Sequence, residues 1–197
     1  MKFSVIVTAH NLEAYIGRAI LSVLDQSFKN YELLVICDAC TDSTVEIVEE
    51  LGIKPIITDA KAPGLARNAG LDAAQGEYVL FLDGDDRFLH TEAFAMINGV
   101  LGGERFDIVN FGFIYGVNGY VAPHLADGSW WINVWCRAWR REFIGADRFG
   151  PLRRAEDAEF CGRMFKKKMR AAEWNTPFIY YTFPRAGSLS DKGVKPD

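Results

Sequence analysis

Three carboxylates, Asp83, Asp85 and Asp86, stand within four residues of one another in the stretch Leu82-Asp83-Gly-Asp-Asp86. Two like charges about 4 Å apart repel by roughly 4 kcal/mol at an effective dielectric near 20, so such crowding calls for a cation. Oxygen donors suit a hard divalent ion, Mn2+ or Mg2+. The plain alternative is a solvated acidic turn, for which Asp-Gly is suitable chemistry. Position favours the metal: Tyr78 to Leu82 is a continuous apolar run rich in aromatic and β-branched residues, read as a strand buried on both faces. An EF-hand is excluded, because counting from Asp83 puts Arg87 and Phe94 where ligands belong. An anionic ligand such as a nucleotide diphosphate, sharing the ion with one or two carboxylates, fits better.

A second acidic pair, Glu156-Asp157, opens a helical pattern running to Lys168. Acids at a helix N-terminus are ordinary, and Lys166 to Lys168 complement the other end in the same way. Cys37-Asp-Ala-Cys40 is a C-x-x-C. A redox pair would need its first Cys exposed before a helix, whereas Cys37 ends an apolar strand, and zinc would need a second close pair, so both roles are disfavoured. The thiols are expected as small buried side chains in a reducing compartment. Trp130, Trp131, Trp135 and Trp139 fall within ten residues, and the last two, four apart, read as the buried face of a helix. Trp130 and Trp131 lie before that helix, where they could stack on a sugar.

The elements that must position these groups alternate. Phe3 to Thr8, Tyr31 to Cys37, Pro55 to Thr58 and Tyr78 to Leu82 read as strands. Between them lie a helix capped by Asn11, with Glu13 in its first turn, a helix from Ser43 or Thr44 to Leu51, and a helix from Pro63 to Gln75. Four such alternations with short links predict an α/β fold with a mostly parallel central sheet flanked by helices. Ligands in such sheets sit beyond the carboxyl ends of the strands, which here carry Thr8, Asp38 and Asp83. After a helix over Thr91 to Leu101 the pattern changes. Phe106 to Tyr115 and Gly119 to Val121 flank an Asn118-Gly119 turn, a hairpin signal, and Pro177 to Tyr181 reads as a last strand.

The 197 residues suit one domain, 49% hydrophobic, with no run of about 18 apolar residues that would span a membrane. A cytoplasmic protein is expected, with peripheral association at the inner face of a membrane left open. The first 98 residues carry 7 Lys and Arg against 15 Asp and Glu, and the remainder 15 against 11. An acidic metal-holding half and a basic half meeting phosphate or anionic lipid would account for this. The acidic balance argues against nucleic acid as a partner. Neither G-x-G-x-x-G nor G-x-x-x-x-G-K-[ST] follows any strand, so a dinucleotide site and a P-loop are unsupported.

Five blocks, in this order and spacing, resemble the family 2 glycosyltransferases of the GT-A fold. They are Ser4-Val-Ile-Val-Thr-Ala-His-Asn11, Ser22-Val-Leu-Asp-Gln-Ser-Phe28, Glu32-Leu-Leu-Val-Ile-Cys-Asp-Ala-Cys-Thr-Asp42, Gly64-Leu-Ala-Arg-Asn-Ala-Gly70 running through Gly76-Glu-Tyr to Asp83-Gly-Asp-Asp86, and Ala155-Glu-Asp157. The tail from Tyr180 to Ser190 is also similar to the family's. The resemblance covers nearly the whole chain. It implies a single GT-A domain with a nucleotide-sugar half (1–101) and a small acceptor half (102–197). It also implies inverting transfer from a nucleotide-diphosphate sugar, UDP-linked for preference, to a carbohydrate or glycolipid hydroxyl.

Carried onto this sequence, the resemblance sets Thr8, His10 and Glu13 at base and ribose, and Asp38 as acceptor of a hydrogen bond from the base. Arg67 lies near the donor, Asp83 and Asp85 form the D-x-D for ribose and metal, and Asp157 is the general base; Glu156, next to it, and Trp131, from its own position, are counted with the substrate-binding residues. Three positions depart from the family pattern: His10 for Tyr, Cys37 for Asp, and Ala39-Cys40 for Gly-Ser. The acceptor side is short and could be completed by a partner, or in a homo-oligomer. Two other readings stand beside this one. One is a non-catalytic nucleotide-sugar-binding or scaffold subunit. The other is a nucleotidyltransferase, disfavoured because no Gly-rich basic loop follows the first strand.

Overall fold

The computed structural model describes residues 2–115, 119–122 and 132–181. The alternation in the first half is realised as β1 (Phe3–Ala9), α1 (Ile16–Leu24), β2 (Tyr31–Asp38), α2 (Thr44–Glu50), β3 (Ile56–Thr58), α3 (Pro63–Ala73) and β4 (Tyr78–Asp83). These four strands pair in parallel in the order β3-β2-β1-β4. Phe3, Val5, Ile6 and Val7 of β1 and Tyr78, Val79 and Leu80 of β4 have no exposed surface. Successive residues are buried because both faces of the sheet are covered, which is why these strands read as unbroken apolar runs. Each such side chain contributes about 1.5–3 kcal/mol on burial.

Beyond β4 the strand directions mix. The second half contains β5 (Arg87–Phe88), α4 (Ala93–Leu101), β6 (Ile108–Tyr115), β7 (Tyr120–Val121), β8 (Arg137–Arg140), α5 (Arg141–Ile144), α6 (Glu156–Met164) and β9 (Ala171–Tyr181). The sheet continues β4-β8-β6-β9-β5, with β7 on β6. β8 is antiparallel to both β4 and β6, whereas β6 and β9 are parallel. The sheet is parallel in its first half and mixed as a whole, within the expected α/β class.

Several local expectations are corrected. The tryptophan stretch is not a helix: Val134–Cys136 forms one 3-10 turn, and Trp139 lies in β8. A spacing of four also suits a turn leading into a strand, and Trp139 satisfies its ring N–H locally by donating from Nε1 to the Val134 carbonyl at 3.0 Å. Both Trp135 and Trp139 are core residues, as expected. Asn11 does not cap α1, which starts at Ile16. Asn11 instead adopts a left-handed φ of 52°, and its Oδ1 accepts from the Thr41 N–H at 2.7 Å. Glu13 accordingly precedes α1, and its Oε2 accepts from the Ser43 N–H at 3.1 Å, at the entry to α2. The last helix stops at Met164, and the last strand starts earlier than expected, at Ala171.

Candidate active site

Strand register brings the crevice residues level. Thr8 of β1 lies opposite Asp83 of β4, Ala9 opposite Cys37 of β2, and Asp38 opposite Thr58 of β3. Past β4 the chain turns at once. The Gly84 N–H donates to the Thr8 carbonyl at 2.9 Å, and the Asp86 N–H to the Asp83 carbonyl at 2.9 Å. A Cβ at Gly84 would come within 2.9 Å of the Thr8 carbonyl oxygen and 2.8 Å of Leu12 Cδ1. Glycine is therefore what lets the acidic turn lie against β1. Arg18 of α1 steadies the turn, its Nη2 donating to the Asp85 carbonyl at 2.7 Å.

The second half of the chain delivers Asp157 to the same place. Phe149 stacks on Phe160 of α6, with ring centroids 4.1 Å apart, and meets Phe81 of β4 edge-on. That aromatic column fixes the segment leading into α6. Gly64 in α3 permits close approach, since a Cβ there would lie 2.8 Å from Phe149 Cβ and 2.9 Å from the Gly150 carbonyl oxygen. Glu156 and Asp157 thereby face Arg67, a residue of α3 with only 3% of its surface exposed.

Arg67 ties the two halves together. Its Nη2 donates to Asp83 Oδ1 at 2.8 Å and its Nη1 to Glu156 Oε1 at 2.8 Å, with Asp157 Oδ1 3.1 Å from Nη1. One guanidinium thus meets three carboxylates. Burial opposes the charge on Arg67, but the surrounding Asp157, Asp83 and Glu156 outweigh it and hold the guanidinium firmly protonated. Asp157 is pushed up to about 6: burial is the main cause, Arg67 pulls the other way, and Asp83 and Glu156 add to the rise. Its Oδ2 accepts from the Val134 N–H at 3.1 Å. Its Oδ1 accepts no hydrogen bond among the described residues, although Arg67 lies beside it.

At the other end of the crevice, Asp38 is buried and oriented. Its Oδ1 accepts from Thr58 Oγ1 at 2.8 Å and from the Ala60 N–H at 2.7 Å. His10 is exposed, with Nδ1 2.6 Å from the Asp38 carbonyl oxygen. A carbonyl only accepts, so Nδ1 carries the hydrogen and Nε2 points its chemistry elsewhere. Thr8, His10, Asp38, Asp83 and Asp85 are brought to one edge of the sheet, and Arg67, Glu156 and Asp157 join them through Asp83. Glu13 follows His10 on the same loop, its carboxylate accepting from the Ser43 N–H, and Trp131 lies outside the described residues. Arg18, the Val134 N–H and Phe149 also shape the site. Arg18 and Phe149 are hard to single out because their roles depend on long-range packing, and a backbone N–H leaves no mark in a sequence.

The donor set suits a hard cation. Asp83 and Asp85 offer carboxylate oxygens at a half-buried turn, and the three carboxylates around Arg67 leave negative charge uncompensated. Among the described residues no three His, Cys, Asp or Glu side chains gather closely enough to hold a metal by themselves. The residues fit an ion that completes its shell with ligand phosphate oxygens, the usual habit of Mg2+. No helix among the described residues is long and apolar enough to cross a membrane.

Comparison with known proteins gives a consistent result. The model of glycosyl transferase family 2 matches residues 4–183. An uncharacterized glycosyltransferase of Haemophilus influenzae is 38% identical over 104 residues, 50% of this chain and 42% of that protein. Poly(ribitol-phosphate) beta-N-acetylglucosaminyltransferase TarS of Staphylococcus aureus is 42% identical over 94 residues, 44% of this chain and 16% of that one. The alignments thus span less than half the length of these curated relatives. The crystal structure of S. aureus TarS 1–349 in complex with UDP-GlcNAc superposes with a TM-score of 0.83 at 26% identity, over 94% of this chain and 59% of that chain. The mannosyltransferase PcManGT of Pyrobaculum calidifontis, in complex with GDP-Man and Mn2+, shares the fold, with a TM-score of 0.75 at 17% identity over 94% of this chain and 58% of that chain. With its strand-end carboxylates, the α6 acids beside them and a family model spanning nearly its whole length, the chain belongs to glycosyl transferase family 2.

Proposed function

We propose that the chain is the catalytic core of an inverting transferase. It moves a sugar from a nucleotide-diphosphate sugar, UDP-linked for preference, to a hydroxyl of a carbohydrate or glycolipid acceptor. The observation that carries this reading is the shared guanidinium of Arg67, which sets Asp157 and Asp83 on one crevice at the carboxyl ends of β1 and β4. The UDP-GlcNAc bound by TarS supports the choice of donor class.

Residues 1–101 act as the donor half, with Thr8, His10, Glu13 and Asp38 toward base and ribose. The free oxygen of Asp38 accepts from the base, its Oδ1 being engaged by Thr58 and Ala60. Residues 102–197 supply the acceptor side. Asp157, once ionised, takes the proton from the acceptor hydroxyl, with Arg67 beside its Oδ1. The acceptor oxygen then attacks the anomeric carbon from the side opposite the leaving diphosphate, and configuration inverts. The Val134 N–H fixes the carboxylate by donating to Oδ2, and Arg67 offsets its repulsion with Asp83. Asp83 and Asp85 would hold Mn2+ or Mg2+, whose chemistry is to neutralise charge gathering on the diphosphate.

Thermal-shift measurement against UDP, GDP, dTDP and CDP, with Mn2+ and with EDTA, tests the donor class. A shift with one nucleoside diphosphate that needs Mn2+ is expected. The absence of any shift, together with no turnover of any common nucleotide sugar, would overturn the reading.

A further inference from the structure

The proposed chemistry leaves Cys37 and Cys40 unused, although they flank Asp38. Cys37 lies opposite Ala9 in the β1–β2 pairing. The chain then reverses at Ala39, which takes a left-handed φ of 50° and whose N–H donates to the Thr58 carbonyl at 2.8 Å. Cys40 is thereby folded back onto the same residue of β1, its Sγ donating to the Ala9 carbonyl at 3.5 Å and lying 3.9 Å from that of Asp38. Both cysteines thus lie against Ala9, Cys37 through the strand pairing and Cys40 through its sulfur.

Exposure divides their roles. Cys37 is 1% exposed, whereas Cys40 is half-buried and open to a small reagent. The adjacent Cys37 side chain holds the Cys40 thiol below its ordinary value. The Asn11 N–H and His10 help, while burial and Asp42 oppose. Cys40, then burial, push Cys37 up. Cys40, the sulfur a reagent can reach, is therefore the one that attacks first, and Cys37 the one that resolves from within.

We propose that Cys37 and Cys40 form a redox-modification site, closing to an internal disulfide on reaction with a low-molecular-weight disulfide. The Cys40 thiolate attacks one sulfur of RSSR, forming a Cys40–S–S–R bond and releasing RS−. The Cys37 sulfur then attacks Cys40 Sγ and expels the second RS−. The two cysteines lose two electrons, RSSR gains them, and the two thiol protons end on two RSH. A paired C-x-x-C of this kind in a reducing compartment is characteristically a reversible, sensing pair and not a structural staple. Closure tightens the turn that carries Asp38, whose Oδ1 bonds to Thr58 and Ala60 set its orientation. The effect on nucleotide binding rests on the nucleoside role proposed for Asp38; the disulfide itself does not.

The test is to incubate the full chain with oxidised glutathione, denature it, block free thiols with iodoacetamide and map peptide masses. The expected product carries residues 37–40 lighter by two hydrogens and unblocked until dithiothreitol is added. The buried Cys136 and Cys161 should be blocked throughout. Cys37→Ala should retain glutathione on Cys40. Cys40→Ser, at the more exposed position and so less damaging to the fold, should take none. Free thiols at both positions, or glutathione persisting on Cys40 of the parent chain, would overturn the proposal. Calorimetry should show UDP binding roughly tenfold weaker in the oxidised protein and restored by reduction. Equal affinity in both states would overturn the link to the crevice. A reduced protein that binds no nucleotide, yet forms the disulfide, counts against the transferase reading and leaves the modification site standing.

Discussion

Arg67 Nη1 lies 3.1 Å from Asp157 Oδ1, so a cation buried in α3 and an acid opening α6 are held against each other from opposite halves of the chain. Each group determines how the other behaves. Without the guanidinium three carboxylates would repel one another, and without the carboxylates a buried cation would be unpaired.

The first consequence concerns Arg67 itself. Breaking a buried ion pair from one side costs about 3–5 kcal/mol, because the partners left behind stay desolvated. Arg67→Met is expected to lower the melting temperature by on the order of 10 °C at neutral pH. Arg67→Lys should recover part of the loss, since a single ammonium cannot bond Asp83 and Glu156 through two fixed nitrogens. Thermal unfolding of the three proteins side by side checks this. Equal melting temperatures would show that the cluster contributes nothing to the fold.

Asp157 gives a pH signature. Its ordinary value of 3.8 is raised to about 6 in the folded chain. Between these values the folded protein holds a proton that the unfolded chain has released. The resulting stabilisation is present below about pH 4 and is lost as pH rises through about 6. Activity runs the other way, because a base must be ionised: kcat/KM should climb through an acid limb near pH 6. Asp157→Asn mimics the protonated form. At pH 8 it should be more stable by about 1–2 kcal/mol while losing transfer and keeping nucleotide binding. A variant that no longer binds nucleotide, with its fold intact, would contradict the base assignment.

Asp85→Ala isolates the metal. Isothermal titration with UDP in the presence of Mn2+ should show affinity at least roughly tenfold weaker than in the parent, while in EDTA the two proteins should bind alike. Unchanged affinity with Mn2+ would remove Asp85 from the ion's ligands.

Gly84→Ala tests the turn. The new methyl would meet the Thr8 carbonyl oxygen at 2.9 Å, and backbone cannot yield as a flexible side chain can. A loss of about 1–3 kcal/mol in unfolding free energy is expected, with weaker nucleotide binding because Asp83 and Asp85 shift together. Denaturant titration measures the first and calorimetry the second. A fully stable variant with parental affinity would show that the turn has room to move.

Much of the crevice is legible in the residues alone. Strands buried on both faces announce themselves as apolar runs, and a parallel sheet obliges their carboxyl ends to line one edge, so Thr8, Asp38 and Asp83 could be grouped without coordinates. The tryptophan stretch was misread because a spacing of four suits both a helix and a turn entering a strand, and only the pairing of β8 between β4 and β6 decides between them. The expected place of Glu13 in the first turn of α1 fails for a related reason. Acidic residues favour helix N-termini in general, but which helix receives the carboxylate depends on how α1 and α2 lie side by side.

Neighbours along the chain are enough to set the α/β class, the acidic strand end and the acid pair opening α6. Only the tertiary structure decided that Arg67 bridges Asp83 and Asp157, and that Cys40 returns to the strand Cys37 pairs with. Those relations are made by packing between distant segments, through Phe149 against Phe160 and through the left-handed turn at Ala39, and short-range patterns carry no trace of them.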